Sequence, residues 1–359
     1  MLETLPAELL TEVYRDACTD TGSTGRSLSL VSRYIRATSA PLKYQSLALF
    51  GRKQILEFAS SLDNLKLPPK TRWLYINGQE SQAELDKLKE DWEKREGVHV
   101  ARARAQQRMV AMADAVVAIL RRVAPTLEHL HIALNEHTGA QIGQAGLIDV
   151  DLPKLVDLTT CGGGLPLNVV LPPNAPHPLP RFYRCLTLRS LHIVSTRVQG
   201  SLVFHPFELS AGLTGFAPDL THLRLSGFTA NEQLILDIAD GLGVDPFQLP
   251  IQAKTTRTTL QSIVLHPAPP LKIRMRPLDK SDEMNMREAE DDDLIEHCRM
   301  LDVIRWLRQR DDCVVLLKTL EEDTLVGGNH YLDEWLHKAS GNAWVLDASS
   351  IDNVPPEEL

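Results

Sequence analysis

The feature that most constrains this chain is a short apolar pattern, leucine or isoleucine at its first, fourth and sixth positions. It recurs as Leu127, Leu130 and Ile132; Leu188, Leu191 and Ile193; Leu220, Leu223 and Leu225; Leu260, Ile263 and Leu265. Leu155 and Leu158, with Thr160 in the sixth place, form a weaker copy, and Leu74 with Ile76 a degenerate early one. Apolar residues at alternate positions are the mark of a strand with one face turned to a core. From Leu127 onward, successive copies begin 28 to 40 residues apart. That interval leaves room for a helical return, and strands joined through a helix run parallel. The expected fold class is therefore α/β: a parallel sheet with helical returns, each unit burying its apolar face against the next.

The segments between copies agree. Met109, Met112, Val116, Val117 and Leu120 make a helical stripe ahead of Pro125, Ser81 and Glu84 have the spacing of a capping box, and Asn231 is placed to cap Leu234, Ile235, Ile238 and Leu242. Leu294, Cys298, Leu301, Ile304 and Leu307 form a further helix leading into Cys313 to Leu317, an apolar run suited to a buried parallel strand. Two stretches read as surface loops: residues 162–180, which open on Gly162-Gly163-Gly164 and are crowded with prolines, and residues 267–293, which end in Asp291, Asp292 and Asp293. The period and its irregularity place residues 51–359 among leucine-rich-repeat-like arrays.

Residues 1–50 follow a helical period instead. Thr4 and Pro6 open a helix carrying Leu9, Leu10, Val13, Tyr14 and Ala17. Thr19 to Arg26, with Gly22 and Gly25, reads as a loop, and Leu28, Leu30, Val31, Tyr34 and Ile35 define a second helix that should stop before Pro41. An extended Leu47-Ala48-Leu49 follows.

Charge and motif content exclude several functions. A net charge of −9 disfavours nucleic-acid binding, which rests on clustered Lys and Arg. The first residues form no basic, apolar leader and no run approaches a membrane span, so no membrane partner is expected. The five cysteines, Cys18, Cys161, Cys185, Cys298 and Cys313, are scattered without a C-x-x-C pair, which fits a reducing cytoplasm and/or nucleus. No phosphate-binding, zinc-protease, nucleophile-elbow or dinucleotide motif occurs, so neither catalytic residues nor a cofactor is expected. His131 and His192 lie on strands separated by the Leu155 copy, on the order of 10 Å apart, too far to share a metal.

The opening Leu5-Pro6-Ala7-Glu8-Leu9-Leu10, followed by Val31-Ser32-Arg33-Tyr34, resembles the F-box motif, with Tyr34 where many F-boxes carry Trp and a longer loop between Gly22 and Gly25. Joined to irregular leucine-rich repeats, it is similar to the fungal F-box proteins. The resemblance implies a helical F-box module over residues 1–50. It implies a non-catalytic substrate receptor of a Skp-cullin-F-box ubiquitin ligase, the F-box docking a Skp-type adaptor and the repeats binding a target protein. Carried onto this sequence, Leu5, Pro6, Leu9, Leu10, Val13, Leu30, Val31 and Tyr34 are the candidate adaptor contacts. Strand alternation supplies the candidate target contacts, on an open concave strip opposite the leucines: Trp73, Tyr75, His129, His131, Asp157, Ser190, His192, His222, Arg224 and Ser262. The alternative is a repeat scaffold whose F-box-like end only closes the array.

Overall fold

A computed structural model describes residues 5–62, 64–65, 68–79, 86, 98–134, 150–161, 185–195, 216–229, 235–236, 238–239, 242, 259–270, 280–320, 330–341 and 350–352. The chain divides into two compact units, Met1–Leu188 with Gly328–Trp344 and Arg189–Gly327 with Val345–Leu359. The division falls ahead of the fifth strand, and residues 5–50 belong with the strands that follow them.

The first unit opens with helices α1 (Ala7–Ala17), α2 (Ser23–Val31) and α3 (Arg33–Ser39). Leu10 and Tyr14, one turn apart, meet Cys18, Ile35 and Leu42 in a small core. The single second helix read from the stripe is in fact two. Ser32 is extended at φ −154°, and its hydroxyl accepts a hydrogen bond from Ile35 N at 3.2 Å, so it ends α2 and caps α3. The loop also closes earlier than expected. Asp20 accepts from the backbone N–H of Gly22 and of Thr24, both at 2.9 Å, starting α2 at Ser23. Gly25 therefore lies inside the helix, where a Cβ would stand 2.5 Å from the Lys43 carbonyl oxygen.

Strand β1 (Ser46–Phe50), helix α4 (Gly51–Leu62), strand β2 (Trp73–Asn77), helix α5 (Val98–Val123), strand β3 (His129–Ala133) and strand β4 (Asp157–Cys161) follow. The four strands pair in parallel and in chain order, with Ala48, Tyr75, His131 and Thr159 aligned. Leu74, Ile76, Leu130, Ile132 and Leu158 are buried on one face, as the pattern requires, and α4 and α5 contribute buried Ile55, Leu62, Val116, Ile119, Leu120 and Val123. The degenerate copy at Leu74 is thus a full strand.

The second unit repeats the scheme with parallel strands β5 (Ser190–Val194), β6 (His222–Phe228), β7 (Ser262–Pro267) and β8 (Val314–Leu316). Helix α6 (Lys280–Arg310) buries Met300, Ile304 and Leu307. It corrects the expected loop at 267–293 at both ends, since strand β7 reaches Pro267 and the helix already holds residues 280–293; residues 271–279 lie outside the described residues. The acidic run had suggested a solvated loop, but Met284, Met286, Arg287, Glu288, Ala289 and Glu290 ahead of it are all strong helix formers. The chain then contributes helix α7 (His330–Ala339) to the first unit. Among the described residues no helix is long and apolar enough to cross a membrane. Thr4, the Ser81 capping box, the 162–180 loop, and Asn231 with Leu234 lie outside the described residues.

Candidate functional site

The N-terminal helices place most of the candidate adaptor contacts on the surface. Leu5, Pro6, Leu9, Val13, Leu30, Val31 and Tyr34 are exposed, Leu30 to 78%. Leu10 is the correction: it is fully buried against Tyr14 and Ile35 and cannot meet a partner without unfolding α1. Tyr34 donates its hydroxyl to the Leu5 carbonyl at 2.9 Å, tying α3 to the start of α1. The helices are also bound to the edge strand. Gln45 donates to the carbonyls of Arg15 and Cys18, at 2.7 and 3.3 Å, and Ala48 N–H donates to Thr21 O at 3.3 Å.

The expected open strip is not open. Trp73, Tyr75, His131, His192 and Arg224 are buried, His129, Asp157, Ser190 and Ser262 are half-buried, and only His222 is exposed. In the first unit the cause is α7, which lays Trp335 and Ala339 against Ala48, Trp73 and Tyr75, with Leu332 and Leu336 beside them. Alternation assigns residues to a face; it carries no information about what covers that face.

Beneath the helix the side chains form an aromatic platform. Trp73 stacks on His129 with ring centroids 3.5 Å apart and planes within 2°, and Tyr75 stacks on His131 at 4.4 Å and 13°. Parallel pairing causes this, because it sets identical positions of neighbouring strands side by side. Tyr75 also meets Phe50 and Trp335, each at 5.6 Å, and His131 meets Tyr331 at 6.0 Å. At one end Lys338 Nζ donates to Asp157 at 3.0 and 3.3 Å and lies 3.6 Å from Glu334. His131, Asp157, Thr159, Tyr331, Glu334, Trp335 and Lys338 line a crevice with room for about one water.

Burial sets the protonation of this face. It holds His131 down to about 3, aided by the Lys338 charge, and His129 down to about 4 against the opposing pull of Asp157 and Glu128. Burial pushes the Cys161 thiol and the Tyr75 phenol up. Cys161 Sγ stands 3.9 Å from His131 Nε2, a pair the sequence reading did not single out. A nucleophilic pair needs a thiolate beside an imidazolium, and this environment favours the neutral form of both. The Trp335 indole N–H is buried with no acceptor among the described residues, and Trp335 is one of the side chains that line the crevice.

In the second unit His192 Nε2 and Ser226 Oγ are 2.9 Å apart, both buried, with Arg224 in register beside His192. Arg305 binds Asp352 at 2.9 Å and Asp302 at 3.0 Å, and these bonds, outweighing desolvation, raise its pKa. Among the described residues no three His, Cys, Asp or Glu side chains are placed to hold a metal ion. The signal for α7 was in the sequence: Tyr331, Leu332, Trp335, Leu336 and Ala339 recur at helical spacing. The Asp157–Lys338 pair, 181 residues apart, had none.

Comparison of the chain with protein-family models, with curated proteins and with solved structures returns no match.

Proposed function

We propose that this chain is the non-catalytic substrate-recognition subunit of a Skp-cullin-F-box-type ubiquitin ligase, with α1 to α3 as the F-box docking a Skp-type adaptor and a leucine-rich-repeat-like solenoid presenting a target protein. The observation that carries this reading is where the exposed apolar side chains lie. Of the twelve large ones exposed among the described residues, six fall between Leu5 and Tyr34. Apolar surface concentrated in this way marks an interaction site. The ordered parallel strands suit a rigid receptor, which accelerates transfer by holding a target near a charged conjugating enzyme, through effective concentration alone.

The test is co-elution of the purified chain with a Skp-type adaptor. Leu9→Asp with Leu30→Asp, both on exposed positions, is expected to abolish co-elution and leave the melting temperature nearly unchanged. Leu10→Asp is the contrasting variant, expected to unfold the helices because it buries a charge. A folded wild-type chain that ignores the adaptor overturns the ligase reading. That outcome favours a scaffold whose helices only cap the edge strand, a reading supported by the Gln45 and Ala48 hydrogen bonds. Deleting residues 1–50, which removes β1 together with the helices, is then expected to destabilise β2 to β4, with no adaptor lost.

A further inference from the structure

We propose that the aromatic face of the first unit's sheet is a helix-recognition site whose resident ligand is α7. A target engages it with an amphipathic helix bearing two aromatic side chains one turn apart and a basic side chain on the next turn, displacing α7. This deepens the receptor reading and rests on it, by naming the chemistry of the target and the regulation of its site.

Three observations carry the inference. First, the platform is a pre-formed aromatic surface: Trp73 with His129 and Tyr75 with His131 form two face-to-face stacks, Tyr75 meets Trp335 at a tilt of 58°, and Asp157 sets a carboxylate at one end. Such a face takes an aromatic anchor and a cation, which Trp335 and Lys338 supply from within the chain.

Second, α7 has the attributes of a docked ligand. Its ten residues are fewer than an isolated helix needs, so its helicity depends on contact with the sheet. The segments that flank it in the chain, Arg189–Gly327 and Val345–Leu359, belong to the other unit, so α7 is tethered at both ends to chain outside its own unit.

Third, the fit is imperfect. The Trp335 indole N–H finds no acceptor among the described residues, although it is buried. A target helix that places an acceptor there gains a hydrogen bond that α7 does not make.

The experiment uses the full chain and a labelled synthetic peptide of residues 328–341 as the probe. By native-state hydrogen exchange, amides of α7 are expected to exchange about tenfold or more faster than those of β2 and β3, reporting local release. The peptide is expected to bind a Trp335→Ala, Lys338→Ala chain at least about tenfold more tightly than wild type, because the tethered competitor no longer engages. A peptide carrying Lys338→Glu should bind neither. Exchange of α7 only at the global unfolding rate overturns the proposal. So does failure of the peptide to bind a double variant that keeps β2 and β3 protected. Should that variant not fold, exchange in the wild-type chain decides alone. Adaptor co-elution on the same samples reports on the ligase reading independently.

Discussion

The two units share one strand pattern and fill its fifth position in opposite ways. In the first, Ala48, Tyr75, His131 and Thr159 stand in register, the rings stack, and α7 covers them. In the second the same register holds His192, Arg224, Val264 and Val315, and α6 carries an ion-pair cluster in which Arg305 binds Asp302 and Asp352. The fourth and sixth positions hold leucine or isoleucine in nearly every strand of both. The pattern thus specifies a sheet and leaves the fifth position free for whatever the opposite face must do. In the first unit that is aromatic contact.

The comparison can be broken most forcefully at Tyr75, which is fully buried among Phe50, His131 and Trp335. Tyr75→Ala is expected to cost about 3–5 kcal/mol in urea unfolding. Val264→Ala, the same position in the second unit, should cost about 1.5–3 kcal/mol. Equal losses would mean that the aromatic stacks add nothing to ordinary burial.

Acid should act on the first unit's aromatic face next. His129 and His131 have folded pKa values of about 4 and about 3, below the unfolded value of 6.5. Between those limits the unfolded chain binds more protons, so stability is fully present above about pH 6.5 and falls as pH drops toward the folded values. At pH 5 the loss is about 2 kcal/mol per histidine, and His131→Gln should remove that much of the pH-dependent loss whatever it does to absolute stability. Urea melts at pH 7.5 and 5 measure this. A flat profile would show that α7 does not desolvate the platform.

The ion pairs offer a closer match. Asp157, half-buried, and Asp352, buried, each bind a cation on a helix of their own unit. Asp157→Asn and Asp352→Asn should each cost about 1.5–3 kcal/mol, the range for hydrogen bonds to charged groups. Asp157→Asn should also speed amide exchange in α7 and leave α6 unchanged. Loss of protection in α6 but not in α7 would reverse the assignment.

How much of this could be read from sequence follows from the range of each signal. Strands β3 to β7 sit on the copies at Leu127, Leu155, Leu188, Leu220 and Leu260, and β8 on the apolar run after Cys313, because a period-two pattern is local. The break at Ser32 was hidden, since Leu30, Val31, Tyr34 and Ile35 continue one stripe across it and only the cap geometry ends α2. The covering of the strip was hidden for a different reason. Whether Tyr75 and His131 face solvent depends on α7, more than 190 residues further on, and no spacing rule reaches that far. The acidic tract at Asp291 misled in a third way, as charge marks solvent exposure and is silent on helix or loop.

One regularity does cross both units, and it gives the smallest expected effect. Thr126 Oγ1 donates to Thr71 O at 2.9 Å and Thr187 Oγ1 to Leu155 O at 2.8 Å; in the second unit Thr259 Oγ1 donates to Leu220 O at 2.7 Å. In each case the threonine immediately precedes the first leucine of a copy, so the signal was present as Thr-Leu at residues 126, 187 and 259. The hydroxyl satisfies a carbonyl next to the preceding strand, where the turn is too irregular for ladder bonding to reach it. Thr126→Val and Thr259→Val keep the shape and remove the donor, so each should cost about 0.5–1.5 kcal/mol, and the two, in different units, should add. A double variant that loses clearly more than the sum would show that the units unfold through a shared element at these turns, and would end the case for treating them as separately stabilised copies of one pattern.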